Sequence, residues 1–535
     1  MDDLVNREWK ENRLKATSRR AASKSKSPPV QDTWAQPSDT RRPQPPAVSV
    51  GSTMDSAAFL GTLVEGKEEN LDRLPQTDYE FESPEDVLSL IYIDTTNAEE
   101  ANEIRAILTE FIDCFAVEVR KDPAISKDFV IVVNDELWEK EGSRAPARLQ
   151  SFEKQQATAE LVIQLEKLGC IVKSQDCPYS HIHVVKKPNG KYRPCIDFRG
   201  LNRCIEDMSW PLPRIPQMLD RIGRAKPKYF AIMDMTSGYH QVPIATESRR
   251  YTAFKCFMGT YVWTRLPMGI KTAGSFFQCF MMTIFAAMLF VFLEIYLDDM
   301  ITHARTFEEY KANLRQVFEA CRRANLTINP RKSKFLLRSF EGLGHVIDEH
   351  GISMSDEKKA KMLNFPRPTQ IKHLKSFIGL ANYFRRFIQD FAEYCRPLDK
   401  MTHDYKKSKN KQIKWTPETR KAYDDMLKAI ENCPKLHYFT EGAPTFVTTD
   451  ASQYGFGALL VQVVDNKERP IAFISKTFQP VQTRWAVNEQ ECYAIFFAVT
   501  EWRFLLEGTR FTLLTDHKNM QFLNDSASAK VNRWK

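Results

Sequence analysis

Two adjacent acids, Asp298 and Asp299, stand inside the mostly apolar run Glu294-Ile295-Tyr296-Leu297-Asp298-Asp299-Met300-Ile301-Thr302. Burial and like-charge repulsion both make such a pair costly to ionise, so a cation is the natural neutraliser. Hard cations such as Mg²⁺ take oxygen ligands and keep positions open for substrate phosphates. A solvated Asp-Asp turn between strands is the alternative, and the dipeptide alone does not decide between them. A third acid, Asp234, follows the apolar run Tyr229–Met233, and Ser237-Gly238 then turns the chain.

These acids need elements to hold them. The apolar residues on either side of Asp298-Asp299 read as two short strands with the acids at the hairpin tip. Upstream, Val184–Asp197 reads as a second hairpin, turned by Pro188-Asn189-Gly190 and bristling with Lys186, Lys187, Lys191 and Arg193. A basic hairpin suits a triphosphate or a nucleic-acid backbone, and an ordinary solvated turn is the other reading. The Gly-punctuated loop Leu266–Gln278 lets backbone approach a base or sugar closely. From Thr272 to Leu293 no residue is charged, a stretch long enough to span a bilayer. It runs straight into the acid pair, however, and reads as a buried helix over 274–287 followed by a buried strand over 289–297.

The chain has 535 residues, enough for three to four domains, and 43% of them are apolar, enough for real cores. A formal charge of +8 is a modest excess that suits a polyanionic partner. The 11 cysteines form no C-x-x-C pair and no signal sequence precedes them, which points to reduced thiols inside the cell, in a cytoplasmic particle or the nucleus. Cys177, His181 and His183 lack a matching second pair for zinc and read as packing residues. Residues 1–75 form a basic, proline-rich leader expected to be disordered. Met54–Ala58 and Ile93–Thr96 echo a protease turn without its surrounding strands, so no protease is read here. Helical periodicity follows in Ala101–Cys114 and Ser151–Leu168.

Taken in order, the basic hairpin, Tyr192–Asn202, Asp234–Gln241, Leu266–Gln278, Tyr296–Asp299, Leu343-Gly344-His345 and Leu374–Ile388 resemble the reverse transcriptase of Ty3/gypsy-type long-terminal-repeat retrotransposons. The resemblance covers about residues 100–535. It implies an α+β right-hand polymerase with fingers, palm and thumb, working on an RNA or DNA template with primer and on deoxynucleoside triphosphates. It further implies two Mg²⁺ ions, with Mn²⁺ as a substitute, on Asp234, Asp298 and Asp299. One ion lowers the pKa of the primer 3′-hydroxyl and the other neutralises the leaving pyrophosphate. By the same matching Lys187 and Arg193 grip the triphosphate, Tyr239 excludes a 2′-hydroxyl, and Gly269 and Gln278 belong to the substrate-binding set. Lys332 is a weaker candidate for protonating the leaving group, Phe340–His345 corresponds to the primer-holding hairpin, and the basic helix over 368–388 resembles the thumb, with a basic solvated helix face as the other reading.

The last part, from Pro444 onward, resembles a truncated α/β RNase H-like domain. Asp450, Glu491 and Asp516 match three of that domain's four acids, which also bind two metal ions and activate water to cut RNA in a hybrid. Glu489 is a near neighbour, but the residues after Glu491 fit better. The expected organisation is a leader (1–75), a lead-in segment (76–150), fingers and palm (151–340), primer-grip hairpin and thumb (341–402), a basic connection (403–443) and an RNase H-like domain, C-terminally incomplete (444–535). Departures from the family pattern are Gly274 in place of Pro, the residues Ala286, Ala287, Phe290 and Val291, and Glu294 in place of an apolar strand residue. They bear on folding more than on the metal site. No protease or integrase segment is read in the chain, which points to part of an element or a derived gene. Two functions follow: a template-directed DNA polymerase with a vestigial RNase H domain, or a non-catalytic remnant that binds nucleic acid. No membrane role and no oligomeric state are read from the sequence.

Overall fold

Tyr229–Asp234 and Asp299–Ala304 are buried at nearly every position, as strands covered on both faces are, and their antiparallel pairing lies at the middle of the main sheet. The computed structural model describes residues 83–186, 190, 192–404, 412–517 and 528–534. The chain divides into two units, 1–79 and 80–535, and all described residues lie in the second. The leader 1–75, Lys187 of the hairpin tip, and Lys406, Lys407, Lys409 and Lys411 fall outside the described residues.

The elements used below are these, in chain order. Helix α1 is Ala98–Glu110 and α2 is Phe152–Lys167; strands β1 (Ser180–Lys186) and β2 (Tyr192–Ile196) form the basic hairpin. Helix α3 (Ile215–Arg224) precedes β3 (Tyr229–Asp234), and α4 (Ala273–Ile284) precedes the hairpin β4 (Leu293–Tyr296) and β5 (Asp299–Ala304). Helix α5 (Phe307–Arg323) leads to β6 (Lys334–Leu337), then β7 (Ser339–Gly342), β8 (His345–Asp348) and β9 (Gly351–Met354). Helices α6 (Ile371–Tyr383), α7 (Phe391–Asp404) and α8 (Pro417–Glu431) follow. Strands β10 (Thr445–Ala451), β11 (Gly455–Val464) and β12 (Lys467–Thr477), helix α9 (Val487–Glu501), strand β13 (Phe511–Leu514) and helix α10 (Ala529–Trp534) complete the set.

The main sheet runs in the order Tyr92–Ile93, β6, β3, β5, β4. Helices α1 and α5 pack against it and bury Ile104, Leu108, Leu314 and Phe318 in the largest core. Asn97 caps α1, and Thr306 with Glu309 forms a capping box on α5, so both helices start where the strands deliver them. A second five-stranded sheet contains the basic hairpin, with the order Ile171–Lys173, Gly259–Trp263, Phe254–Cys256, β1, β2. A third sheet, β7-β8-β9 with Leu436–His437, shares a separate core with α6, α7 and α8. The last sheet, β12-β11-β10-β13, is antiparallel except for the β10–β13 pair, and α9 covers it.

The uncharged stretch differs in detail from the sequence expectation of a helix over 274–287 and a strand over 289–297. The helix is Ala273–Ile284 and the strand only Leu293–Tyr296. The helix is capped at Phe285, Phe290 takes a left-handed backbone (φ 65°) in the connection to the strand, and Phe290 and Val291 are 52% and 67% exposed. Among the described residues no helix is long and apolar enough to cross a membrane.

One buried side chain ties two strands of the main sheet to the helix packed on them. The Tyr310 hydroxyl on α5 donates to the Phe230 carbonyl of β3 (3.1 Å) and accepts from the Leu336 amide of β6 (2.7 Å). Phenylalanine there leaves both backbone groups buried without partners. Tyr310→Phe is therefore expected to cost about 1–3 kcal/mol in urea unfolding, with no change in far-ultraviolet circular dichroism.

Candidate active sites

Register brings the first three acids together. Asp234, the last residue of β3, is the cross-strand partner of Asp299, the first residue of β5, and Asp298 occupies the turn before it. That turn is strained. Leu297 has φ 54°, a conformation a leucine adopts only when its surroundings impose it. Gln278, fully buried on α4, imposes it. Its carbonyl oxygen accepts from the Leu297 amide (2.7 Å) and its amide nitrogen donates to the Ile295 carbonyl (3.1 Å).

Gly238 is demanded by the same crowding. A Cβ at this position would lie 2.6 Å from Asp298 Oδ1 and 2.8 Å from Phe277 Cζ, closer than real side chains approach. Ser237, just before it, is left-handed (φ 45°), which bends the chain back under the acids. Gly274 has no such demand, since a Cβ there would meet only Tyr239 Oη at 3.7 Å and Leu297 Cδ2 at 4.0 Å.

The acids pay an electrostatic penalty where they stand. Burial, then the charges of Asp234 and Asp299, push the Asp298 carboxyl up to about 6, and Lys332 partly offsets this. Burial and Asp234 also raise Asp299. Asp298 Oδ1 is buried and has no hydrogen-bond partner. Lys332 Nζ lies 2.9 Å from Asp234 Oδ1, on a turn anchored where the Asn329 amide donates to the Asp234 carbonyl (2.8 Å). An orphaned buried carboxylate oxygen among three acids, with positive charge drawn to the open side, fits a hard divalent cation.

The remaining expected residues are distributed as follows. Tyr239 is half-buried, stacked on Phe277 at 4.8 Å and 17°, and its hydroxyl pKa is raised by burial and by Asp298. Gly269 has φ 99°, and its carbonyl accepts from Asn202 Nδ2 (2.9 Å) while Asn202 Oδ1 accepts from the Lys271 amide (2.8 Å). Arg193 is exposed on β2. Asn202 was not singled out from sequence: its partners lie far along the chain, and no local pattern announces such a clamp. Gln278, expected in the substrate-binding set, is wholly enclosed and bonded at both ends to the hairpin backbone.

A second acid set lies in the last sheet. Asp450 on β10, Glu491 on α9 and Asp516 after β13 bring carboxylate oxygens within 4.8 Å of one another, tighter than the first set. Burial and the charges of Asp450 and Asp516 raise Glu491 to about 7, against the Ala451 amide that donates to its Oε1 (3.3 Å). Glu491 Oε2 is buried without a partner, which again fits a cation. Glu489 is otherwise engaged: Lys530 and the Ser528 hydroxyl each lie 3.0 Å from its carboxylate, and Lys530 lowers its pKa.

Acids on the ends of paired central strands, flanked by a basic hairpin sheet and a helical bundle, define a right-hand polymerase fold, here followed by an RNase H-like domain. Residues 185–347 match the family described as reverse transcriptase (RNA-dependent DNA polymerase), and residues 440–535 match the RNase H-like domain found in reverse transcriptase. In sequence the chain is similar to the reverse transcriptase–RNase H region of retrotransposon Pol polyproteins. It is 31% identical over 427 residues to the retrovirus-related Pol polyprotein from transposon 412 of Drosophila melanogaster, covering 79% of this chain and 34% of that protein. It is 33% identical over 380 residues to the Pol polyprotein from transposon opus of the same species, covering 68% and 38%. The Tf2-3 polyprotein of Schizosaccharomyces pombe is 29% identical, covering 71% and 29%. The chain thus spans about a third of the length of the curated relatives it matches. In fold it is similar to a foamy viral protease-reverse transcriptase solved with double-stranded DNA (TM-score 0.70, 22% identity, 84% of this chain and 78% of the other). The foamy viral protein solved with an RNA/DNA hybrid gives a TM-score of 0.66 at 21% identity, over 84% of this chain and 60% of the other.

The Gly238 contact gives a direct check. In a background where Asp450→Asn and Glu491→Gln silence the second acid set, Gly238→Ala is expected to weaken Mn²⁺ binding by roughly tenfold in calorimetry. Unchanged affinity would show that Asp298 is not held against this glycine.

Proposed function

We propose that this chain is an RNA-directed DNA polymerase that extends a primer on an RNA or DNA template from deoxynucleoside triphosphates. The observation that carries the reading is the partnerless, buried Asp298 oxygen beside Asp234 and Asp299 at the ends of two paired strands. In this reading Asp234, Asp298 and Asp299 hold two Mg²⁺ ions, with Mn²⁺ as a substitute. When bound, the ions supply acidification of the primer 3′-hydroxyl and charge neutralisation for the leaving pyrophosphate.

The chain's own residues do the positioning. Tyr239, fixed by its stack on Phe277, presents an aromatic edge where a 2′-hydroxyl would enter. Asn202 locks the Gly269–Lys271 loop so that backbone lines the nucleotide. Arg193 and Lys187 neutralise the triphosphate. Lys332 shields Asp234 and stands ready to give a proton to the leaving group. Gln278 acts through the Leu297 turn and not on substrate.

By the same reading 151–340 are fingers and palm, 341–402 the primer-grip hairpin and thumb, 403–443 a connection, 444–535 the RNase H-like part and 76–150 a lead-in. The foamy viral relatives in fold were solved with double-stranded DNA and with RNA/DNA hybrid, which supports a template–primer partner for this chain. Asp450, Glu491 and Asp516 would hold ions that activate water against the RNA of a hybrid. The thiols of exposed Cys177 and Cys195 suit a reducing compartment, the cytoplasm or nucleus.

The test is primer extension on poly(rA)/oligo(dT) with Mg²⁺, using labelled template so that hybrid cleavage is read together with synthesis. The parent is expected to extend, and Asp298→Asn to lose about 10²-fold or more in rate. Extension by Asp298→Asn at the parent's rate would refute the site. Binding of template–primer without extension by the parent would leave a non-catalytic nucleic-acid binder.

A further inference from the structure

Helix α3 carries two neighbouring charged residues that grip two different parts of the fold. Arg221 donates through Nε and Nη2 to both oxygens of Glu294 on β4, at 2.7 Å each, and the Glu294 side chain is 2% exposed. The Arg221 guanidinium also lies over the Phe290 ring, 4.6 Å from its centroid. Asp220, one residue earlier, accepts from Arg386 Nη2 at 3.0 Å, with side-chain exposures of 12% and 15%. Arg386 belongs to the turn Arg385–Phe387 that follows α6.

Both contacts lead to the polymerase site. Glu294 sits in β4 beside Ile295, whose carbonyl is one of the two groups Gln278 binds, and the strand runs directly into the Leu297 turn. On the other side, α6 ends at Tyr383, whose hydroxyl donates to the Leu343 carbonyl (2.7 Å). His345 Nδ1 reaches the same carbonyl at 2.7 Å, beside the left-handed pair Leu343-Gly344. Leu219 and Ile222 of α3 lie in the core shared with Phe384, Phe387 and Ile388, so the helix is packed between its two charged contacts.

We propose that α3 is a strut that fixes the α6–α7 bundle and the Leu343-Gly344 turn relative to the acids of the β4–β5 hairpin. Arg221, Glu294, Asp220 and Arg386 are its positioning residues for polymerisation. The physical reason is directional. A bidentate guanidinium–carboxylate pair fixes distance and angle, where an apolar contact would allow sliding. Buried ion pairs add little net stability over apolar replacements, so a role in alignment explains charge at Glu294 better than stability does. Glu294 and Phe290, both departures from the family pattern, meet on the same arginine.

The inference rests on the polymerase reading, and its test separates the two. Single-nucleotide addition and hydrogen exchange are measured on the full chain for Arg221→Met, Arg221→Met/Glu294→Val, Arg386→Met and Arg386→Lys. Arg221→Met, which strands a buried carboxylate, is expected to lower kcat by about tenfold or more while the KM for template–primer changes little. The double variant, with both charges replaced by apolar groups, is expected to recover most of the stability but not the kcat, because the contact it restores does not fix an angle. Arg386→Met is expected to raise the KM for template–primer and, at the far end of the strut, to speed exchange of the Tyr296–Met300 amides several-fold; Arg386→Lys does so less. Exchange at Tyr296–Met300 unchanged in Arg386→Met overturns the strut, as does a double variant with the parent's kcat. A parent that extends no primer refutes the polymerase reading alone, and the exchange measurement then still decides the strut.

Discussion

Mutual repulsion among three carboxylates is the constraint around which the central sheet is arranged. Asp234 and Asp299 face each other across β3 and β5, and Asp298 is buried beside them with one oxygen unanswered. Such a cluster persists only if the backbone that carries it cannot relax outward. Three features prevent that: Gly238 admits the Asp298 carboxylate where any side chain would collide, Gln278 holds both flanks of the turn, and Leu297 stays left-handed as a result. The cost is local and the support is distributed. Tyr310 locks β3 to β6, and the core under α1 and α5 fixes the sheet itself.

The second acid set repeats the same physics in a different frame. Glu491 reaches from a helix to the end of a strand, its pKa raised by burial and by Asp450 and Asp516, while nearby Glu489 is paired with Lys530 and is pulled the other way. Environment, not residue type, separates the two glutamates: one lacks a counter-charge and the other has one.

The sequence showed the acids, because carboxylates inside apolar strand patterns are an anomaly visible locally. It also showed the two hairpins and the packed helix of the uncharged stretch, but not the exposure of Ala286, Ala287, Phe290 and Val291 after it. It misplaced the end of α4 and the start of β4, since an unbroken apolar run offers no punctuation, and neither the cap at Phe285 nor the left-handed Phe290 is announced by residue type. Gln278 read as a substrate contact because a polar residue next to a Gly-rich loop resembles one; only the fold shows it enclosed. Glu294 stood out as a misfit until Arg221, distant in sequence, answered it. Asn202 and Gly238 share that lesson: their requirements come from contacts made after folding.

The claim that a cation completes the first acid set has a direct measure, the titration of Asp298 followed by carbon-13 resonances of labelled aspartate. Without metal the carboxyl is expected to titrate near about 6. The folded chain then holds a proton there that the unfolded chain has released, and stability falls as pH rises from the ordinary carboxylate range through that value. With saturating Mg²⁺ the midpoint is expected to drop to about 4 or lower and the loss of stability to disappear. A midpoint that stays near about 6 in Mg²⁺, with stability still falling across the same window, would contradict the account.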